Sequence, residues 1–118
     1  MGEDLLKFDT ENQEVAILKY DDEITFDNSN PLKEEAKEKI SKTDYKKLII
    51  DLAKVGYIDS AGIGFILSIF KFMRERNGNL IIVNANKKIK QGFEITKISD
   101  IIKVFDNLEE GFNYLKNN

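Results

Sequence analysis

The chain has 118 residues, a net charge of −3, 42% hydrophobic and 33% charged residues, and neither cysteine nor histidine. That is enough for one domain with one core, residues 1–118. The missing residue types exclude disulfides, thiolate chemistry and any Ser-His-Asp hydrolase. Lysines are scattered rather than clustered, which argues against a nucleic-acid partner. Carboxylates show neither EF-hand spacing nor a dense cluster, so no metal site and no cofactor is expected. No run is long and apolar enough to span a bilayer. The start, Met1-Gly2-Glu3-Asp4, is acidic and lacks an apolar h-region, so no secretory signal and a cytoplasmic location are expected.

Leu5 to Phe8 and Glu14 to Tyr20 read as strands around the polar, turn-like Asp9 to Gln13, which predicts a hairpin. In the second strand Val15, Ile17 and Lys19 alternate with Ala16, Leu18 and Tyr20. Glu23 to Ser29 is a connection carrying two apolar residues, Ile24 and Phe26, both expected to plug the edge of the core. Asn30-Pro31 is a helix-start signal. Leu32, Ala36 and Ile40 then recur every fourth residue, a narrow apolar stripe on a helix otherwise made of Lys and Glu.

Lys46 to Leu52 is a strand whose centre, Leu48-Ile49-Ile50, does not alternate, as for burial on both faces of a parallel sheet. A short loop and a helix over Ser60 to Asn77 follow, ended by Asn77-Gly78. Ser60 suits the N-cap, where a hydroxyl accepts a hydrogen bond from a free helix-start N–H. Gly62 and Gly64 let the first turn pack close to a neighbour. Ile63, Ile66, Leu67, Phe70 and Met73 share one helix face, and Phe65, Ile69 and Phe72 form a second that needs a cover. Leu80 to Val83 completes a βαβ unit, so its strands should be parallel with a right-handed crossover. Ile89 and Phe93 suggest a short helix ending near Thr96, Ile101 to Phe105 a last strand, and Asp106 with Glu109 a capping box before a helix striped by Leu108, Phe112 and Leu115. The fold class is therefore α/β, with a mixed sheet of four or five strands and about four helices.

Three stretches carry a resemblance. Leu48-Ile49-Ile50-Asp51-Leu52, then Tyr57-Ile58-Asp59-Ser60-Ala61-Gly62-Ile63-Gly64, then Asn79-Leu80-Ile81-Ile82-Val83 resemble a STAS domain, the module of anti-sigma factor antagonists that also ends sulfate transporters. The length suits a stand-alone member. The resemblance implies partner switching. The unphosphorylated antagonist binds an anti-sigma factor that is also an ATP-dependent serine kinase, which frees the sigma factor. Phosphorylation of the serine after the motif aspartate releases the antagonist, and a serine phosphatase resets it. That serine falls on Ser60 and the aspartate on Asp59. Many antagonists carry Gly-Glu-Leu-Asp before the first helix; here the stretch is Asp22-Glu23-Ile24-Thr25, so that aspartate falls on Thr25, with Asp27 two positions on.

The expected phosphoacceptor is Ser60, and the expected partner-binding face comprises Asp59, Ala61, Gly62, Thr25, Phe26, Asp27 and Asn28, with Asn84 to Asn86 at its edge. With no histidine to activate it, Ser60 should be a substrate rather than a nucleophile, and the protein a regulator rather than an enzyme; the sequence leaves the oligomeric state open, with a monomer favoured. Other readings stay open at this point. Ser60 could be a plain helix cap in a STAS interaction module without phosphorylation, a scaffold or transporter accessory. A phosphate-binding enzyme fits less well, because Gly62-Ile63-Gly64 lacks the Lys-Ser/Thr of a P-loop and the third glycine of a dinucleotide fingerprint. A response-regulator receiver with Asp51 as acceptor would need an acidic pair after a first strand that here ends in a hairpin.

Overall fold

The computed structural model describes residues 3–10 and 13–117, with side chains from Val15 onward. Five strands form one sheet in chain order: β1 (Glu3–Thr10), β2 (Gln13–Tyr20), β3 (Lys47–Asp51), β4 (Asn79–Val83) and β5 (Val104–Phe105). β1 and β2 are antiparallel, and every other neighbouring pair is parallel. The mixed sheet and its single hairpin agree with the sequence. The strands run further than expected, because Asp9 and Thr10 continue β1 and Gln13 begins β2; Glu11 and Asn12 of the expected turn lie outside the described residues.

Four helices join these strands: α1 (Ser29–Ser41), α2 (Ser60–Glu75), α3 (Lys87–Ile95) and α4 (Leu108–Lys116). Strand alternation sorts the core into two layers. Ala16, Leu18, Leu48, Ile50, Leu80 and Ile82 face α1, α2 and α3. Val15, Ile17, Ile49, Ile81 and Val83 face α4 and its Leu115. The central strands are thus buried on both sides, as their unbroken apolar runs require. Gly111 lets α4 lie close, since a β-carbon there would be 2.9 Å from side-chain carbons of both Ile81 and Val83.

The deepest stripe of α2 is Gly62, Phe65, Ile66, Ile69 and Met73, which takes members from both apolar faces read in the sequence. Each such buried large side chain contributes about 1.5–3 kcal/mol over an exposed one. Helix α1 belongs to the same core through Ala36 and Ile40, so Phe65 and Ile69 are covered from within the chain. Half-buried Phe72 lies beneath the cations of Lys37 and Arg76, 5.7 and 5.6 Å from its centroid. The helix stops where Asn77 turns left-handed (φ 62°) and the Gly78 N–H donates to the Met73 carbonyl at 2.7 Å.

Three local expectations are corrected. Helix α1 begins before Asn30-Pro31, because the chain already turns at Thr25, whose carbonyl accepts the Ser29 N–H at 2.8 Å. The last strand keeps only Val104 and Phe105; Ile98–Asp100 forms a 3-10 turn that buries Ile98, and Ile102 is buried just after it. The cap of α4 is Asn107, whose Oδ1 accepts from the Glu110 N–H at 2.9 Å, while the Asp106 N–H donates to Glu110 Oε1 at 3.2 Å. The cap therefore lies one residue later than Asp106 and Glu109 suggest, and the returning Glu110 carboxylate takes the N–H of the residue before the cap rather than that of the cap itself.

Candidate functional site

Because β2, β3 and β4 are parallel, the loops leaving them emerge at one edge of the sheet. Those loops are 21–28, 52–59 and 84–86. The first two are joined by a parallel bridge between Ile24 and Ile58. The Ile24 N–H donates to the Tyr57 carbonyl at 3.2 Å, and the Asp59 N–H to the Ile24 carbonyl at 3.3 Å. The third is tied in through Asn86, whose Nδ2 donates to the Gly56 carbonyl at 3.2 Å. At the end of β4, Asn84 adopts a left-handed conformation (φ 65°) and its Nδ2 donates to Oδ1 of the buried Asp51 at 3.0 Å.

Asp59, not Ser60, is the N-cap of α2. Its Oδ1 accepts from the Gly62 N–H at 2.9 Å, and its Oδ2 accepts from the Phe26 N–H at 3.0 Å. One carboxylate thus caps the helix and pins a loop 33 positions earlier. An Asp-Ser pair offers two caps one residue apart, and the distant Phe26 N–H selects the two-oxygen one. Ser60 becomes the first helical residue, exposed, with no hydrogen-bond partner for its hydroxyl among the described residues.

The loop between β2 and α1 holds its own shape. The Asn28 side chain accepts from the Thr25 N–H at 2.8 Å and donates to the Glu23 carbonyl at 2.7 Å. The Thr25 hydroxyl accepts from the Asp27 N–H at 3.3 Å. Thr25 and Asn28 are therefore occupied in building the turn. Ile24 plugs the core as expected, fully buried, but Phe26 does not: it is 82% exposed. The plug expectation fails there because the Asp59 carboxylate anchors the Phe26 backbone at the surface, leaving its ring outside.

Gly62 is buried under this loop. A β-carbon on it would overlap the Ile24 carbonyl oxygen and lie 2.5 Å from Cγ2 of Ile58. Gly62 therefore lets loop and helix touch and is itself buried. Gly64 differs from expectation, since a β-carbon there would meet open space. The Phe26–Asp59 bond joins two surface segments, one exposing Phe26 and Asp27, the other exposing Ser60 and Gly64 with Ala61 half-buried between them.

The N–H donors of Gly62 and Phe26, in that order, hold the Asp59 carboxyl below the usual carboxylate range. The folded value is depressed, so the stabilisation is complete above the ordinary value near 3.8 and is lost as pH falls through the folded one. Amide exchange at Phe26 and Gly62 should therefore stay slow and steady in free energy from neutral pH to about pH 5. It should loosen in more acid solution, with no such acid step in Asp59→Asn. An acid step of equal size in Asp59→Asn would assign the loosening to another carboxylate.

No helix among the described residues is long and apolar enough to cross a membrane, and no group of three or more acidic side chains there could hold a metal ion. The STAS domain family model matches residues 9–111. A Thermotoga maritima protein named as a candidate anti-sigma factor antagonist is 25% identical over 103 residues, 87% of this chain and 91% of that one. The anti-sigma-B factor antagonist of Listeria monocytogenes is 39% identical over 66 residues, 56% of this chain and 57% of that one. The crystal structure of a candidate anti-sigma factor antagonist from Thermotoga maritima has the same fold, with a TM-score of 0.84 at 23% identity over 95% of this chain and 94% of that one.

Proposed function

The chain belongs to the STAS domain family, and from that premise we propose that it is an anti-sigma factor antagonist switched by phosphorylation of Ser60. The unphosphorylated protein binds an anti-sigma factor with serine kinase activity and so frees a sigma factor. The kinase transfers the γ-phosphoryl of ATP to the Ser60 oxygen, the serine proton is lost, ADP leaves, and the complex separates. A serine phosphatase hydrolyses the ester and restores binding. The protein acts here as substrate and ligand, a single cytoplasmic domain with no catalytic group of its own.

The observation that carries this reading is the division of labour between Asp59 and Ser60. Asp59 caps the helix, so the exposed Ser60 hydroxyl has no structural task. A phosphate there adds about −1.5 to −2 charges at a helix N-terminus, where free N–H groups and the helix dipole accept an anion. The fold survives, and the surface changes. A dianion beside Asp59 repels an acidic partner and must be desolvated by any close one. Phe26, Asp27, Ala61 and Asp59 form the rim of that contact. Thr25, Asn28 and Gly62 hold it in shape.

Incubation with a candidate anti-sigma-type serine kinase from the same organism, with ATP, followed by mass spectrometry, tests the proposal. One phosphate on Ser60, together with dissociation of the complex, is expected. A complex that persists with Ser60 unmodified would instead identify an interaction module without the switch.

A further inference from the structure

Beside the Ser60 surface lies an apolar groove that the switch does not use. It runs between the start of α2 and the flank of α3, lined by Tyr57, Ile58, Ile63, Ile89, Phe93 and Lys88, with a volume of about 130 Å³. That is close to the roughly 150 Å³ of an apolar cavity that takes one benzene ring, so it has room for one aliphatic side chain. Tyr57, 46% exposed, forms part of its wall.

The charges around it are unusual. Helix α3 has no acidic residue in its first turn and opens on Lys87 and Lys88, where the helix dipole disfavours cations. Helix α4 has the ordinary arrangement, with Glu109 and Glu110 in its first turn. Lys90 is neutralised by Asp106 at 2.9 Å, but neither Lys87 nor Lys88 has a partner among the described residues. Among the residues that line the groove, Lys88 carries the charge. No ion pair among the described residues offsets this placement, whereas an anionic occupant would.

Building on the reading of Ser60 as the switch, we propose that this groove is a second contact for the protein partner and takes one apolar side chain from an acidic segment. Lys87 and Lys88 attract the segment, and the groove between Ile63, Ile89 and Phe93 buries its anchor. An acidic segment across this end of the sheet is also what phosphate on Ser60 would repel, so docking and release share one electrostatic logic.

The test uses the full chain and a blocked pentapeptide with leucine between two pairs of glutamates, titrated by NMR. Amide shifts are expected at Gly56, Ile63 and Gly92. Alanine in place of the leucine should weaken binding about tenfold, and lysines in place of the glutamates should abolish it. Gly92 lines the groove and a β-carbon there meets nothing within 4 Å, so Gly92→Leu should fill it without strain and remove binding while the melting temperature holds or rises. Lys87→Glu with Lys88→Glu should remove binding independently. The inference is overturned if no shifts occur, if the leucine and alanine peptides bind alike, or if folded Gly92→Leu binds as the parent does. None of these outcomes involves Ser60. A peptide that misses the groove leaves the switch standing, and a Ser60→Asp protein that keeps its kinase sinks the switch alone.

Discussion

Ser60→Asp is expected to weaken binding to the proposed anti-sigma kinase by about a hundredfold or more, because it would place an uncompensated charge in the proposed contact. Ser60→Ala is expected to bind as the parent does and to resist release by ATP. The structure sharpens what each does to the fold. With Asp59 as the cap, the Ser60 hydroxyl holds no helix N–H, so the roughly 1 kcal/mol of a lost N-cap does not apply to Ser60→Ala. An exposed, unpartnered hydroxyl changes stability by less than about 0.5 kcal/mol when removed. Asp at the first helical position faces the positive end of the dipole and gains about 0.3–1 kcal/mol. Stability therefore rises or holds in the variant that loses its partner. A melting curve and a binding isotherm for each variant decide the matter. Tight binding by Ser60→Asp defeats the switch, and a Ser60→Asp protein that has unfolded defeats the charge explanation.

Much of this architecture was legible because its signals are local. Leu48-Ile49-Ile50 announces a strand buried on both faces, Asn77-Gly78 ends the long helix, and Leu80 to Val83 closes the βαβ unit; the register Leu48 to Leu80 and Ile50 to Ile82 bears this out. What the sequence hid was decided by partners distant in the chain. The choice between Asp59 and Ser60 as cap rests on the Phe26 N–H. The fate of Phe26 rests on that same bond, since apolar pattern alone places Ile24 and Phe26 together in the core. Ile101 to Phe105 reads as a strand by composition, yet the Ile101 and Ile102 N–H groups bond back to the Ile98 carbonyl, which leaves Val104 and Phe105 to pair with β4. The unpartnered Lys87 and Lys88 look like any solvated lysines until the groove beside them is seen.

The same division by distance separates two glycines that look alike in sequence. Gly62→Ala gains about 1 kcal/mol of helix propensity, but its methyl meets the Ile24 carbonyl and Ile58 Cγ2, and backbone cannot step aside as a side-chain end can. Overpacking of this kind costs about 1–3 kcal/mol or more. The cheapest relief is to lift residues 23–28 off the helix, which breaks the Ile24–Ile58 bridge and draws the Phe26 N–H away from Asp59. Gly62→Ala should therefore melt lower, or stay folded with fast amide exchange at Ile24, Phe26 and Asp59, and bind the kinase poorly with Ser60 intact. Gly64→Ala meets open space, so it should gain up to about 1 kcal/mol. If Gly64→Ala is more stable yet binds less, the partner's own backbone comes within a methyl group of this turn. If Gly62→Ala leaves loop exchange and binding unchanged, the loop is not held by close approach to the helix, and the role given to Gly62 is wrong.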